Sequence, residues 1–251
     1  MRYRTDPSRP TAGQAARDFA VRALLPGAVL WLLIVAGGWV LQNPLLTWAE
    51  NEDGVNRAMQ QGRTPLWDAV TAYWSKIGNT EIIIGTCVIV VAVVWWRTRA
   101  WWFAIIPGIA IALQATIFVI ATNLVGRGRP DVAHLDPAPP TSSYPSGHVG
   151  ASVALYTAFA LMAQSIERAW LRRLVTVVCL IMPVLVTYAR LYRGMHHVSD
   201  VAVGILNGLV CAFLAWFYLR RAGTTRAGAT GADGQTGGSQ DAIEPPAQTR
   251  A

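Results

Sequence analysis

The four histidines of the chain, together with a group of arginines, fall between residues 126 and 200. His196 and Asp200 are four residues apart, so on a helix they share one face and the carboxylate can hold the imidazole in one tautomer. His148 follows a Ser-Gly pair at the start of an apolar run, where it is free to donate a proton to a leaving oxygen. We therefore expect chemistry to take place in this region.

The same region carries groups that bind a phosphate dianion. Arg127, Arg129 and Arg190 supply guanidinium groups, which suit phosphate contacts. Ser146 and Gly147 form a turn that leads into a helix, whose N-terminus offers free backbone amides. Together these groups predict a phosphate receptor.

The elements that position these residues are predicted from composition and charge. The chain has 251 residues, of which 53% are hydrophobic and 14% charged, whereas soluble domains carry about 25% charged residues. This composition excludes a disordered chain and disfavours an ordinary soluble enzyme. Six uncharged stretches approach the roughly 20 apolar residues that a spanning helix needs: residues 23–49, 82–96, 100–126, 149–166, 174–189 and 201–219. We therefore predict an all-α, polytopic membrane protein with six transmembrane helices.

The distribution of basic residues predicts the orientation in the membrane. Six spans place both termini on one side, and that side carries most of the 21 basic residues. Short cytoplasmic segments are enriched in Lys and Arg, so we expect both termini in the cytoplasm. The preference for arginine over lysine and the absence of eukaryotic targeting signals favour a bacterial plasma (inner) membrane. The segments 126–130, 144–148 and 190–200 then open together onto the extracytoplasmic face, where we expect the active site.

Three regions are predicted along the chain. Residues 1–20 form a cytoplasmic N-terminal tail, residues 21–221 the membrane domain, and residues 222–251 a disordered cytoplasmic tail that cannot bury enough apolar surface to fold.

Between the first two spans, apolar residues at helical spacing predict an amphipathic helix that either lies on the membrane surface or packs as a lid over the site: Leu66, Val70, Tyr73 or Trp74, and Ile77.

At the histidine and arginine motifs, the chain resembles the type 2 phosphatidic acid phosphatase superfamily, which includes lipid phosphate phosphatases and vanadium haloperoxidases. The family signature is Lys-x6-Arg-Pro, then Pro-Ser-Gly-His, then Ser-Arg-x5-His-x3-Asp. It is matched in order by Arg129-Pro130, by Pro145-Ser146-Gly147-His148, and by Arg190, His196 and Asp200 at the same spacing. Two positions depart from it: Thr122 stands at the lysine position and Ala189 at the serine position.

The resemblance implies a role for each matched residue. His196 would attack phosphorus to form a phosphohistidine, Asp200 would orient it, and His148 would protonate the leaving group and later activate water. The equatorial oxygens would be held by Arg129, Arg190, Ser146 and Gly147. The family works without a metal ion, so neither a metal nor another cofactor is expected.

Several residues lie outside the signature. Because Thr122 carries no charge, Arg127 is the nearest candidate to replace the missing lysine at the phosphate. His134 and His197 have no motif role and are predicted to be structural or solvated, whereas Arg193 could contact the phosphate or anchor the chain at the membrane border. The cysteines lie inside apolar runs, which argues against a disulfide framework or a thiolate metal site: Cys87, Cys179 and Cys211.

The predicted function is removal of the terminal phosphate from a lipid phosphate or diphosphate, with phosphatidate, phosphatidylglycerol phosphate and polyprenyl diphosphate as fitting substrates and no nucleic-acid partner. One alternative is a phosphotransferase that passes the phosphate to an alcohol. A six-span transporter or scaffold is disfavoured because the spans carry no charge at mid-depth. A zinc hydrolase that uses His148, His196 and Asp200 as ligands is a further alternative, and a haloperoxidase is disfavoured because those enzymes are soluble.

Overall fold

A computed structural model describes residues 10–45, 51–138 and 140–218. Within these residues the regular secondary structure is entirely helical. The helices are α1 Ala12–Gln42, α2 Asp53–Gln61, α3 Pro65–Ile77, α4 Thr80–Thr98, α5 Trp101–Val125, α6 Gly147–Ala163, α7 Ala169–Tyr192 and α8 Val198–Trp216. The predicted tail 222–251 lies outside the described residues, as do residues 1–9 of the N-terminal tail.

The predicted six-span, all-α architecture is confirmed. Five helices, α1, α4, α5, α7 and α8, are long and apolar enough to cross a membrane. The sixth, α6, is apolar but only 17 residues long. It packs against α5, α7 and α8, and most of its side chains are buried. In a bilayer a helix satisfies its own backbone hydrogen bonds, which explains why uncharged stretches predict these elements well.

The first helix begins earlier than the predicted membrane domain. Thr11 and Gln14 form a reciprocal capping box, in which the Thr11 hydroxyl accepts from the Gln14 amide and the Gln14 side chain accepts from the Thr11 amide. From this cap the helix continues through a short π-helical segment, Ala20–Leu24, into the apolar span. The predicted boundary at residue 20 therefore falls inside a helix.

Helices α6 and α8 approach each other backbone to backbone. A Cβ atom on Gly208 would lie 2.5 Å from the carbonyl oxygen of Gly150, and one on Gly204 would lie 2.8 Å from that of Ser146. Small residues allow this close approach, which is common between membrane helices. The contact holds the start of α6, with the second motif, against the first turns of α8, with the third.

Helix α3 occupies the predicted amphipathic segment but buries an unexpected face. It packs against α7, and its buried residues are Thr71 and Ser75. Leu66 and Tyr73, from the apolar set that predicted the helix, are exposed. This packing favours the lid alternative, because a polar face of α3 lies against the arginine-bearing end of α7.

Candidate active site

The three sequence motifs meet at one end of the helical bundle. Backbone hydrogen bonds tie them together: the Ser146 amide donates to the carbonyl of Asp200 at 2.9 Å, and the Ser143 amide donates to that of Arg127 at 2.9 Å. The site is thus built from the loop after α5, the N-terminus of α6, and the turn between α7 and α8. No helix contributes more than its end, so the loops determine the details of the geometry.

His196, the predicted nucleophile, is buried and held by a backbone carbonyl. Its Nδ1 lies 2.8 Å from the carbonyl oxygen of Ser143, so Nδ1–H donates to that oxygen and Nε2 is left with its lone pair. The Asp200 carboxylate is 3.9 Å from the same Nδ1, which is too long for a hydrogen bond. The expectation that Asp200 orients the ring directly is therefore not met; the loop carbonyl does so. The Asn56 side chain also donates to the His196 carbonyl at 3.0 Å.

The surroundings of His196 favour the neutral imidazole. Burial, and then the positive charge of Arg190, lower its pKa well below the ordinary value of a histidine, and the nearby Asp200 opposes this only in part. A neutral ring with Nδ1–H donating to a carbonyl presents an unprotonated Nε2, which is the form a nucleophile needs.

Asp200 is fully buried and belongs to a second network. Its carboxylate accepts from Arg127 Nη1 at 2.7 Å, from the His197 amide at 2.9 Å and from His197 Nδ1 at 3.1 Å. On its other side the His197 ring has Nε2 3.1 Å from Asp53 Oδ1. His197 is therefore a buried structural residue, which was one of its two predicted states.

Arg127, the residue that the sequence offered in place of the missing lysine, is paired with carboxylates in the structure. Its guanidinium donates to Asp200, to the Ser199 hydroxyl at 2.6 Å and to Glu52 Oε2 at 3.1 Å. Glu52 immediately precedes α2, a helix that no motif marked. Because buried charges are stable only when paired, the fold places Arg127 between two carboxylates.

His148 lies in the first turn of α6 beside the end of α3. Its Nε2 is 3.1 Å from Asn79 Oδ1, so the ring nitrogen donates to the amide oxygen. A Cβ atom on Gly78 would lie 3.2 Å from the Cβ of His148, so α3 and α6 are in close contact at this point. The contact keeps His148 near the site without using its other ring nitrogen.

Three buried polar atoms near these histidines have no hydrogen-bond partner in the described structure: Arg129 Nε, Arg190 Nε and Ser146 Oγ. The other edges of both arginines are fixed, since Arg129 Nη1 donates to the Met195 carbonyl at 2.7 Å and Arg190 Nη1 donates to the Ser75 hydroxyl at 3.0 Å. Burial also lowers the pKa of Arg129, while the charge of Asp200 opposes that shift. Buried donors normally have acceptors, so these atoms are available for a ligand's oxygens.

Gly147 begins α6 and is required by packing. A Cβ atom there would lie 2.8 Å from the ring of Phe118 on α5. The first turn of α6 can therefore approach α5 closely, with its amide groups at the helix N-terminus where an anion binds favourably.

Arg193, which the sequence left between a phosphate contact and a membrane anchor, is buried and connects the loop after α5 to α3. Its guanidinium donates to Asp136, to the Asp68 carbonyl at 2.9 Å and to the Leu135 carbonyl at 2.8 Å. Asp136 in turn accepts from Arg190 at 2.9 Å. Burial alone would raise the pKa of Asp136, but the hydrogen bond from Arg193 and the two arginine charges hold it below the ordinary value.

The two departures from the family signature are buried and uncharged. The Thr122 hydroxyl donates to the carbonyl of Ser142 at 3.3 Å, so it supports the loop and supplies no charge. Ala189 is fully buried in α7. His134 is an exposed loop residue whose ring contacts the carbonyl of Pro130 at 3.1 Å.

Sequence reasoning missed the polar residues that surround the motifs: Glu52, Asp53, Asn56, Ser75, Asn79 and Asp136. Most lie in the segment between the first two spans, where only apolar spacing was considered. The many polar residues in that segment could have indicated that it contributes to the site. Among residues 10–45, 51–138 and 140–218, no three His, Cys, Asp or Glu side chains are arranged to hold a metal ion.

Comparisons with known proteins identify a family region and similar folds. Residues 103–223 match the family model described as the PAP2 superfamily. The crystal structure of a transmembrane PAP2 type phosphatidylglycerolphosphate phosphatase from Bacillus subtilis has a TM-score of 0.65 and 21% identity, and covers 76% of this chain and 93% of that one. The structure of LpxE from Aquifex aeolicus has a TM-score of 0.52 and 22% identity, with 65% and 93% covered.

At these identities the two structures show a shared fold. No curated protein matches the chain. The match over residues 103–223 contains the second and third motifs and the Arg-Pro pair of the first. The motifs, the family match and the common fold together identify residues 103–223 as a PAP2 superfamily region within a chain of membrane-spanning helices.

Proposed function

We propose that this multi-pass membrane protein is a lipid phosphatase that hydrolyses the terminal phosphate of a lipid phosphate through a phosphohistidine intermediate. The observation that carries the proposal is the group of unpartnered donors beside a neutral, buried histidine. Arg129 Nε, Arg190 Nε and Ser146 Oγ are buried without acceptors, and His196 keeps Nε2 unprotonated. The oxygens of a phosphoryl group would supply the acceptors that these donors lack, and its phosphorus would be the target of His196 Nε2.

In the first step, His196 Nε2 forms a bond to phosphorus while the bond from phosphorus to the lipid oxygen breaks. His148 gives its proton to that oxygen, so the lipid leaves as an alcohol. The charge that builds up on the equatorial oxygens is stabilised by Arg129, Arg190 and Ser146, and by the amide of Gly147 at the start of α6.

In the second step, a water molecule attacks the phosphohistidine. His148 accepts a proton from the water, the P–N bond breaks, and its electron pair returns to His196 Nε2. Inorganic phosphate is released and both histidines regain their starting states. Asp200 acts at a distance of 3.9 Å, where its charge favours the positive imidazole of the intermediate.

The lipid class is part of the proposal. The two similar structures are named as a phosphatidylglycerolphosphate phosphatase and as LpxE. The site lies at one end of six membrane-spanning helices, which suits a substrate whose tail stays in the bilayer. We propose that this end faces the outer leaflet of a bacterial plasma membrane, with the start of α1 and the segment 222–251 on the cytoplasmic side, because the basic residues concentrate on the opposite side.

The test is phosphate release by the purified protein from phosphatidate, phosphatidylglycerol phosphate and a polyprenyl diphosphate. At least one should be hydrolysed, and a radiolabelled terminal phosphate should appear transiently on the wild-type protein. His196→Ala should show neither reaction. His134→Ala, which removes an exposed histidine of the same loop region, is the matched control and should behave as wild type.

Two results would contradict the proposal. Wild-type turnover of a substrate without a phosphoenzyme would exclude the covalent route. A new phosphoester in place of inorganic phosphate, when an alcohol is present, would instead identify a phosphotransferase.

A further inference from the structure

The carboxylate of Asp136 occupies a site built for an anion. Its Oδ2 accepts from Arg190 Nη1 at 2.9 Å and from the Ser75 hydroxyl at 3.0 Å. Its Oδ1 accepts from Arg193 Nε at 2.8 Å and lies 2.7 Å from Arg193 Nη2. Guanidinium groups bind phosphate oxygens in the same geometry as carboxylate oxygens, so these partners would also accept a phosphate. Here the chain supplies the anion itself.

This anion site is connected through α3 to His148 and not to His196. Ser75 on α3 donates to Asp136, and Asn79, four residues further along, contacts His148 at 3.1 Å. The charges of Arg190 and Arg129 act on both histidines, whereas that of Asp136 acts on His148 and that of Asp200 on His196. Asp136 therefore faces the leaving-group side of the proposed reaction.

The leaving-group side is where monophosphates and diphosphates differ. In an in-line displacement the nucleophile and the leaving oxygen lie on opposite sides of phosphorus. A lipid monophosphate places an alkyl carbon next to the leaving oxygen. In a lipid diphosphate, His196 bonds to the terminal phosphorus, the bond to the bridging oxygen breaks, and the electron pair leaves on a lipid monophosphate. That second phosphate is charged throughout and needs cationic partners.

We propose that Asp136 is a specificity residue that selects lipid monophosphates over lipid diphosphates, because it fills the anion site between Arg190 and Arg193. This inference rests on the proposed function and narrows its substrate class. A lipid diphosphate has two ways to bind. Its second phosphate either lacks contacts with Arg190 and Arg193, or it displaces Asp136 from them, which leaves a buried carboxylate next to a charged phosphate. Both arrangements are costly for charges removed from water.

The charge on Asp136 is maintained by its surroundings. Arg190 and Arg193 hold its pKa below the ordinary value despite its burial, so the carboxylate stays ionised at neutral pH. Arg193 Nη1 and Nη2 also donate to the carbonyls of Asp68 and Leu135, which hold the guanidinium in place, whereas Nε donates to Asp136. Removal of the Asp136 charge would leave both guanidinium groups in place and free to receive another anion.

The test compares two substrates with the same tail, farnesyl monophosphate and farnesyl diphosphate. The measured quantity is the ratio of their kcat/KM values, diphosphate over monophosphate. Wild type should favour the monophosphate, and Asp136→Asn, which keeps the shape but removes the charge, should raise the ratio at least tenfold. Asp136→Glu should keep the wild-type preference. Asp131→Asn, at an exposed carboxylate of the same loop, is the charge-matched control and should leave the ratio unchanged.

A second readout does not depend on turnover. Inorganic pyrophosphate and inorganic phosphate are titrated into each variant, and binding is followed by the shift in thermal unfolding. Asp136→Asn should bind pyrophosphate at least tenfold more tightly than wild type, with little change for phosphate. An unchanged kcat/KM ratio, a wild type that prefers the diphosphate, or a variant without turnover that gains no pyrophosphate affinity would each overturn the inference. If wild type hydrolyses neither farnesyl lipid, the pyrophosphate titration decides the role of the Asp136 site. The proposed function is refuted only if phosphatidate and phosphatidylglycerol phosphate are not hydrolysed either.

Discussion

Substitution of Arg127 by methionine should destabilise the fold more than it weakens phosphate binding. The Arg127 side chain is 7% exposed and lies between Asp200 at 2.7 Å and Glu52 at 3.1 Å. Methionine keeps most of the apolar stem but removes the charge, so two buried carboxylates lose their shared partner. Loss of one partner of a buried ion pair costs about 3–5 kcal/mol, a large share of the roughly 5–15 kcal/mol that stabilises a typical protein.

A double substitution separates this cause from a general loss of packing. Glu52→Gln in the Arg127→Met background removes one of the two uncompensated charges and should restore part of the lost stability. Arg57→Met, on the exposed side of α2, is the matched control and should change stability by less than about 0.5 kcal/mol. Unfolding in mixed detergent micelles, followed by the fluorescence of the 11 tryptophans, measures each difference.

Turnover should fall as well, by about tenfold or more, because Asp200 loses the contact that positions it near His196. Addition of Thr122→Lys should not restore it, since a lysine at that position does not replace the partner of Asp200. Suppose instead that Arg127→Met is as stable as Arg57→Met, raises KM without lowering kcat, and is rescued by Thr122→Lys. Arg127 would then be a phosphate ligand and the argument from its buried ion pairs would be wrong.

Three further outcomes are expected. His148→Ala should slow phosphoenzyme formation far more for an alkyl phosphate than for an aryl phosphate, because only the poor leaving group needs a proton; equal losses would argue against a general acid. Burial and the charge of Arg190 hold the pKa of His196 well below the ordinary ~6.5, so the nucleophile stays neutral as the pH falls. The acidic limb of the pH profile of kcat/KM should therefore lie well below pH 6.5, and a limb centred at pH 6.5 would contradict this environment. A membrane-impermeant thiol reagent should label a cysteine placed at Ala138 in intact cells but not one at Ala169, and the reverse pattern would place the active site in the cytoplasm.

The positions of the transmembrane helices were predictable from the sequence because a bilayer imposes a simple requirement. A segment that crosses the hydrocarbon must be long, apolar and helical, so uncharged stretches such as 149–166 and 201–219 identify α6 and α8 to within a few residues. The same reasoning placed the start of α1 too late. The capping box at Thr11 is a local signal that a search for uncharged stretches does not detect.

The residues that the motifs marked also come together as their order in the chain required. His148 and His196 are brought to one end of the bundle because the two helices between them cross the membrane and return. This shared location follows from the number of transmembrane helices between the two histidines. The chemistry of each residue follows from its functional group.

The partners of those residues were decided only by the tertiary structure. The sequence paired Asp200 with His196 because they are four residues apart, but the loop after α5 places the Ser143 carbonyl closer to the ring, and Arg127 and His197 hold the carboxylate. Arg127 was separated from Glu52 by 75 residues, a distance over which no pattern links them. Spacing along the chain determines which side chains share a face, whereas the loops that pack across the end of the bundle determine which polar groups meet, because each buried charge must find a partner wherever the fold provides one.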